Sequence, residues 1–137
     1  MGQRFGMVKL NMSYALDTNS ILYYLKKHKN LSDFFISIIQ GSEPVSLSVV
    51  NKIELLSYSG LQEEDEKQIK EFIQDFKMRE LDDEIVDKTI EVRKKYKLKL
   101  PDAIIAATAM INNLILVTHN KKDFKEIRGL KIIDPLN

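Results

Sequence analysis

The sequence predicts a three-layer α/β/α fold, a central parallel sheet flanked by helices on both faces. Two observations carry that expectation. Several apolar runs are too short for helices and lack the in–out alternation of a half-exposed strand, as in "LILVT" (Leu114–Thr118), a pattern that suits strands covered on both faces. Between them lie longer stretches whose apolar residues recur every three or four positions, the helical period. Strand and helix signals alternate along the chain, which links parallel strands through helical crossovers.

In chain order, "SYALDT" (Ser13–Thr18) reads as a buried strand and a turn. "NSILYYLKKHK" turns helical, with Ile21, Leu22 and Leu25 on one face and cations at its end, where the helix dipole favours them. "LSDFFISIIQ" is a second short helix stopping at Gly41, glycine being the common helix terminator. "PVSLSVV" (Pro44–Val50) suits a strand, and "NKIELLSYS" a helix running up to Gly60. In "EEDEKQIKEFIQDF", Ile69, Phe72, Ile73 and Phe76 form an apolar stripe, while Glu63–Lys67 and Glu66–Lys70 stand at favourable spacing. A further helix begins near Asp82 or Asp83 and buries Ile85, Thr89, Val92 and Tyr96. The segment opening at Pro101–Asp102 is helical, "LILVT" is a strand, Asp123–Ile127 a short helix, and "LKIID" the last strand.

The chain has 137 residues, 44% hydrophobic and 30% charged, with a net charge of +1, values of one ordinary globular domain. No apolar run reaches the roughly 18 residues that span a bilayer, and no secretory leader is legible, so a cytoplasmic protein without a membrane partner is expected. It has no cysteine and only two histidines, His28 and His119. Disulfides, thiolate chemistry and sulfur-ligated zinc are excluded.

One residue stands out in "LKLPDAIIAATAMI" (Leu98–Ile111): Asp102 is its sole charge after the opening lysine. An acid in a first helical turn is favoured by the dipole, which by itself accounts for it. Ala103, Ala106, Ala107 and Ala109, however, let this helix approach the sheet closely, placing Asp102 near the sheet's carboxyl edge, where open α/β sheets bind ligands. Three other acids repeat the arrangement. Asp17 ends the first strand, Glu54 follows the second and Asp123 follows "LILVT", at separations of 37, 48 and 21 positions along the chain. Each has a bland reading as cap or solvated side chain; four independent caps have no reason to share one edge.

Two carboxylates about 4 Å apart repel by roughly 4 kcal/mol at an effective dielectric of 20, so such a cluster needs a proton or a cation. Oxygen donors without cysteine or histidine select Mg²⁺ or Mn²⁺. A metal there would activate water and stabilise charge on a phosphodiester, which points to hydrolysis of a nucleic-acid backbone.

"YALDTNSILYYL", "SVVNKIELL", "KLPDAIIAATA" and "ILVTHNKKDF" together resemble the motif blocks of PIN-domain ribonucleases, and more narrowly of VapC-type toxins from toxin–antitoxin pairs. The resemblance runs in order from about Tyr14 to the end of the chain. It implies an Mg²⁺- or Mn²⁺-dependent endoribonuclease acting on RNA, homodimerisation and inhibition by a cognate antitoxin. Asp17, Glu54 and Asp102 fall on the family's invariant acids; the fourth position varies, and Asn120 and Asp123 share its block. On this reading Asp17, Asp102, Glu54 and Asp123 form the metal-binding set: Asp17 and Asp102 ligate the metal directly, Glu54 also orients or deprotonates the attacking water, and Asp123 completes the outer ligand shell. Thr18, Asn19, Thr118 and Asn120 are supporting candidates, although turn chemistry alone accounts for Asn19 and a strand-end hydroxyl for Thr118. His119 belongs to the rim. Lys97, Lys99, Lys121 and Lys122 are candidates for RNA contact, against a plain preference of cations for helix ends.

The expected domain spans residues 12–137. Residues 1–11 form an extension, mobile or a short added strand, because Asp17 lies farther from Met1 than is usual in this group; Met12 is an alternative start. Two rivals remain: a catalytically silent PIN-like module that binds RNA or protein, and a receiver-like phospho-aspartate domain. The receiver fits poorly, since it needs an acidic pair where only Asp17 stands and an acceptor on a strand where Glu54 is helical.

Overall fold

The structure is a computed structural model that describes residues 12–137, so the expectations for residues 1–11 lie outside the described residues. Its centre is a five-stranded sheet, every pairing parallel, made of β1 (Tyr14–Leu16), β2 (Val45–Ser48), β3 (Lys77–Arg79), β4 (Ile115–Val117) and β5 (Ile132–Ile133) in the order β3-β2-β1-β4-β5. Because all strands run one way, their last residues share an edge. Leu16 pairs with Val117, Ser48 with Arg79 and Val117 with Ile133.

Helices cover both faces, the expected three layers. On one face α6 (Leu100–Ile111) and α5 (Asp83–Lys95) pack on Ala15 and Leu116, joined by Phe124 of α7 (Lys121–Phe124). Seven consecutive residues of α6, Ala103 to Ala109, are buried, and the four alanines among them have no exposure, which brings the helix backbone onto the sheet. On the other face α1 (Thr18–Leu25), α2 (Asp33–Ser37) and α4 (Glu63–Ile73) place Ile21, Phe35, Ile69 and Phe72 on Tyr14, Leu16, Leu47 and Val117. The helix α3 (Val49–Ser57) reaches both cores, with Val50 in one and Leu55 in the other.

Four expectations need correction. The second strand ends at Ser48, two residues short of Val50, because Ser48 begins a helix instead: its Oγ accepts from the Val50 N–H while Asn51 Oδ1 accepts from the Ser48 N–H, a reciprocal cap that outweighs the β preference of two valines. Strand β3 was not expected. It is a three-residue edge strand whose Lys77 and Arg79 carry charge, the composition that protects an edge from further pairing and hides it from a hydrophobicity reading. The short helix after β4 spans Lys121–Phe124, not Asp123–Ile127. Of the two helix pairs, Glu66–Lys70 closes at 3.1 Å; Glu63–Lys67 is not formed. The stop at Gly41 holds, with φ of +106° at the end of a π-helical turn, Ile38–Ser42, a region glycine enters without cost.

Candidate active site

The carboxyl edge of the sheet opens into a cleft of about 490 Å³ lined by Asp17, Glu54, Asp102 and Asp123, with Thr18, Asn19, Lys99 and Asn120 beside them. All four singled-out acids therefore meet, from four separated chain segments. The topology explains it: β1 delivers Asp17, α3 begins where β2 ends, α6 is seated on the sheet by its alanines, and α7 follows β4.

Asp17 is 7% exposed. It caps α1 by accepting from the Ser20 N–H at 2.8 Å, and its second oxygen accepts from Thr118 Oγ1 at 2.5 Å. Burial pushes its carboxyl above the ordinary range against the opposing hydrogen bonds of Ser20 and Thr118, and the Glu54 charge adds to the rise. Thr118 is wholly buried, which fixes it as an anchor of Asp17 between β4 and β1. Glu54 accepts from Thr18 Oγ1 at 2.5 Å. Asp102 sits in the first turn of α6 with no capping hydrogen bond from Lys99 before it. Burial raises its carboxyl, followed by the charges of Glu54, Asp17 and Asp123, with Lys99 opposing. Repulsion is thus felt most where no hydrogen bond compensates it.

Asp123 is exposed and accepts from Asn120 Nδ2 at 2.8 Å, while the Asn120 backbone N–H donates to Thr118 Oγ1 at 3.0 Å. The two candidates for the fourth position are therefore bonded to each other. Each of Asp17, Glu54 and Asp123 is held by its own donor, and among the described residues no three acidic or histidine side chains stand close enough to hold a metal ion as placed. The cleft gathers the carboxylates without collapsing them on one point, as expected of anions that repel and have local donors.

Of the four lysines, Lys99 lines the cleft; Lys97, Lys121 and Lys122 are exposed outside its lining, and Lys121 pairs with Asp134 at 3.4 Å. His119 is on the rim: its Nδ1 lies 2.9 Å from Asp134 and its ring meets Tyr23 edge-on at 6.3 Å. Asp134 is held below the ordinary range although burial raises it, because the Leu136 N–H, His119 and Lys121 favour its charged form. Sequence reasoning missed Ser20 and Asn51. Asn51, 1% exposed, joins Ser48 to Thr18; the signal for it was the Ser48-x-x-Asn51 spacing of a capping box.

A parallel sheet with acids of separate origin at its carboxyl edge defines the class. Residues 14–130 match the PIN domain family, and the chain belongs to it. That membership replaces the receiver alternative. No curated protein matches the chain. Among solved structures it is similar to a chain of VapBC2 from Rickettsia felis bound to a promoter DNA fragment, at 25% identity and a TM-score of 0.75. It is similar also to a toxin–antitoxin complex from Klebsiella pneumoniae, at 25% and 0.72. DNA-bound VapBC from Salmonella typhimurium shares the fold at 23% and 0.76. Each alignment covers 90% of this chain and 98% of the other. Among the described residues no helix is long and apolar enough to cross a membrane.

Proposed function

We propose that this chain is a metal-dependent endoribonuclease and the toxin of a toxin–antitoxin pair, working in the cytoplasm as a homodimer restrained by its antitoxin, with residues 12–137 as the nuclease domain. The observation that carries the nuclease reading is the convergence of Asp17, Glu54, Asp102 and Asp123 on one cleft. The similarity to VapBC2 and to the Klebsiella toxin–antitoxin complex supports the toxin role.

The donor set suits a hard divalent cation. It is all oxygen, the chain has no cysteine, and His119 is engaged by Asp134. Asp17, Asp102 and Glu54 would hold the ion, with Asp123 in the outer shell; bound there, Mg²⁺ or Mn²⁺ would lower the pKa of water and stabilise phosphodiester charge. Thr118 and Ser20 keep Asp17 oriented. Glu54 orients the attacking water and takes its proton at a carboxylate oxygen. Lys99 contacts substrate phosphate at the cleft mouth, a role supported by its place in the lining.

The test is incubation of the purified chain with total cellular RNA and Mn²⁺ or Mg²⁺. Discrete cleavage that EDTA and Asp102→Asn both abolish is expected. An unchanged RNA profile leaves the chain a silent binding module.

A further inference from the structure

Asn51 is buried, carries no charge, does not itself line the cleft and makes no hydrogen bond to an acid, yet its hydrogen bonds run towards one through Thr18 of the lining. Its Oδ1 accepts from the Ser48 N–H at 2.8 Å, its Nδ2 donates to Thr18 Oγ1 at 3.1 Å, and Thr18 Oγ1 donates to Glu54 Oε1 at 2.5 Å. These three bonds have a fixed direction. A backbone N–H can only donate, so the oxygen end of the Asn51 amide must face Ser48 and the nitrogen end must face Thr18. The Thr18 hydroxyl owns a single proton. Since Asn51 occupies it as an acceptor, that proton is left for Glu54.

We propose that Asn51 is a positioning residue that acts through the Thr18 hydroxyl to hold the Glu54 carboxylate in the cleft. The inference rests on the nuclease reading for its consequence. The chain of bonds starts at the end of β2, which the sheet holds rigidly, and ends at an acid on α3 that would otherwise carry three free side-chain torsions. Thr18 belongs to α1, so the same bonds lock α1 to α3 next to Asp17, which caps α1. Asparagine is suited to this place because it accepts at one end and donates at the other. An aspartate of the same shape still accepts from Ser48 but cannot donate, and it draws the single Thr18 proton away from Glu54.

The test compares Asn51→Asp, Thr18→Val, Thr18→Ser and the Asn51→Asp/Thr18→Val double variant, each in the full chain. Two quantities are measured: the Mn²⁺ dissociation constant by calorimetry without RNA, and kcat and KM for RNA cleavage. Both Asn51→Asp and Thr18→Val should weaken Mn²⁺ binding and lower kcat about tenfold each, with KM for RNA unchanged. Thr18→Ser should restore wild-type behaviour. In the double variant the Asn51→Asp loss should largely vanish, because its route through the hydroxyl is gone. Losses that multiply in the double variant would mean that the new charge or a local distortion acts directly, and would overturn the inference, as would an Asn51→Asp chain equal to wild type. Should the Asn51→Asp chain fail to fold, Asn51→Ser, which keeps a donor and an acceptor, replaces it; a thermally stable Asn51→Ser chain with wild-type Mn²⁺ affinity and kcat after loss of the amide's reach to Thr18 also overturns it. Mn²⁺ binding without RNA cleavage in wild type would overturn the nuclease reading alone. No Mn²⁺ binding in wild type would overturn both.

Discussion

Replacing Asp102 by asparagine removes one negative charge from the acidic cleft and keeps the shape of the side chain. Two opposing effects follow. Its carboxyl is raised by burial and by the charges of Glu54, Asp17 and Asp123; at an effective dielectric of 20 a like-charge pair costs roughly 4 kcal/mol at about 4 Å and about half that at twice the distance, unscreened. Asp102 is only half-buried, so solvent and salt reduce the total to about 1–2 kcal/mol. Against this, an acid in the first turn of α6 gains about 0.3–1 kcal/mol from the helix dipole, and Lys99 attracts it. The balance predicts that Asp102→Asn stabilises the metal-free protein by about 1 kcal/mol at neutral pH, a rise in Tm of about 3–5 °C for a chain of this size. The sign also depends on pH. A carboxyl raised in the folded state binds more protons there than in the unfolded chain, so wild-type stability falls as pH climbs from the ordinary value of 3.8 through the raised one. The advantage of the variant should therefore be full at pH 7 and fade toward pH 4. Thermal unfolding in EDTA at both pH values measures it. A lower Tm for Asp102→Asn at pH 7 would refute the reasoning and make Asp102 a stabilising element of α6.

The same cleft yields three more expectations. Mn²⁺ at about a hundred times its dissociation constant should stabilise wild type by about 2.7 kcal/mol and Asp102→Asn clearly less; equal shifts in a melting experiment would place the ion elsewhere. Asp17→Asn keeps an acceptor for the Ser20 N–H and should fold near wild type without activity, whereas Asp17→Ala loses the α1 cap and should melt lower, by about 1 kcal/mol; circular dichroism melts of the pair would expose an error if the order reversed. RNA affinity of Asp102→Asn should fall with salt at a slope of about −0.7 per phosphate contact, and Lys99→Gln should flatten that slope by about one contact. An unaltered slope in an anisotropy titration would remove Lys99 from the interface.

The layers and the acids were legible in the sequence because both rest on local rules. Unalternating runs such as "LILVT" mark strands buried on two faces, and the alanines of α6 mark a close approach to the sheet. Once the strands are parallel, Asp17 after β1 and Asp102 at the start of α6 belong to one edge. What escaped had little or no local signature: β3 is three residues long with two charges, and the start of α3, marked only by the Ser48-x-x-Asn51 spacing, was settled by two side-chain bonds at Ser48 and Asn51 rather than by the β preference of Val49 and Val50.

Sequence by itself determined which residue types are present and the periodicity that folds them: a cysteine-free set of oxygen donors after strands, in first helical turns and, for Glu54, within a helix. Only the tertiary structure decided which donor holds which carboxylate. It paired Asp17 with Thr118, 101 positions away, and Glu54 with Thr18, 36 away. It also set Lys99 in the cleft and left Lys97 outside it. Those choices depend on distances across the sheet edge, and a linear pattern carries no distance between segments that meet only after the chain has closed.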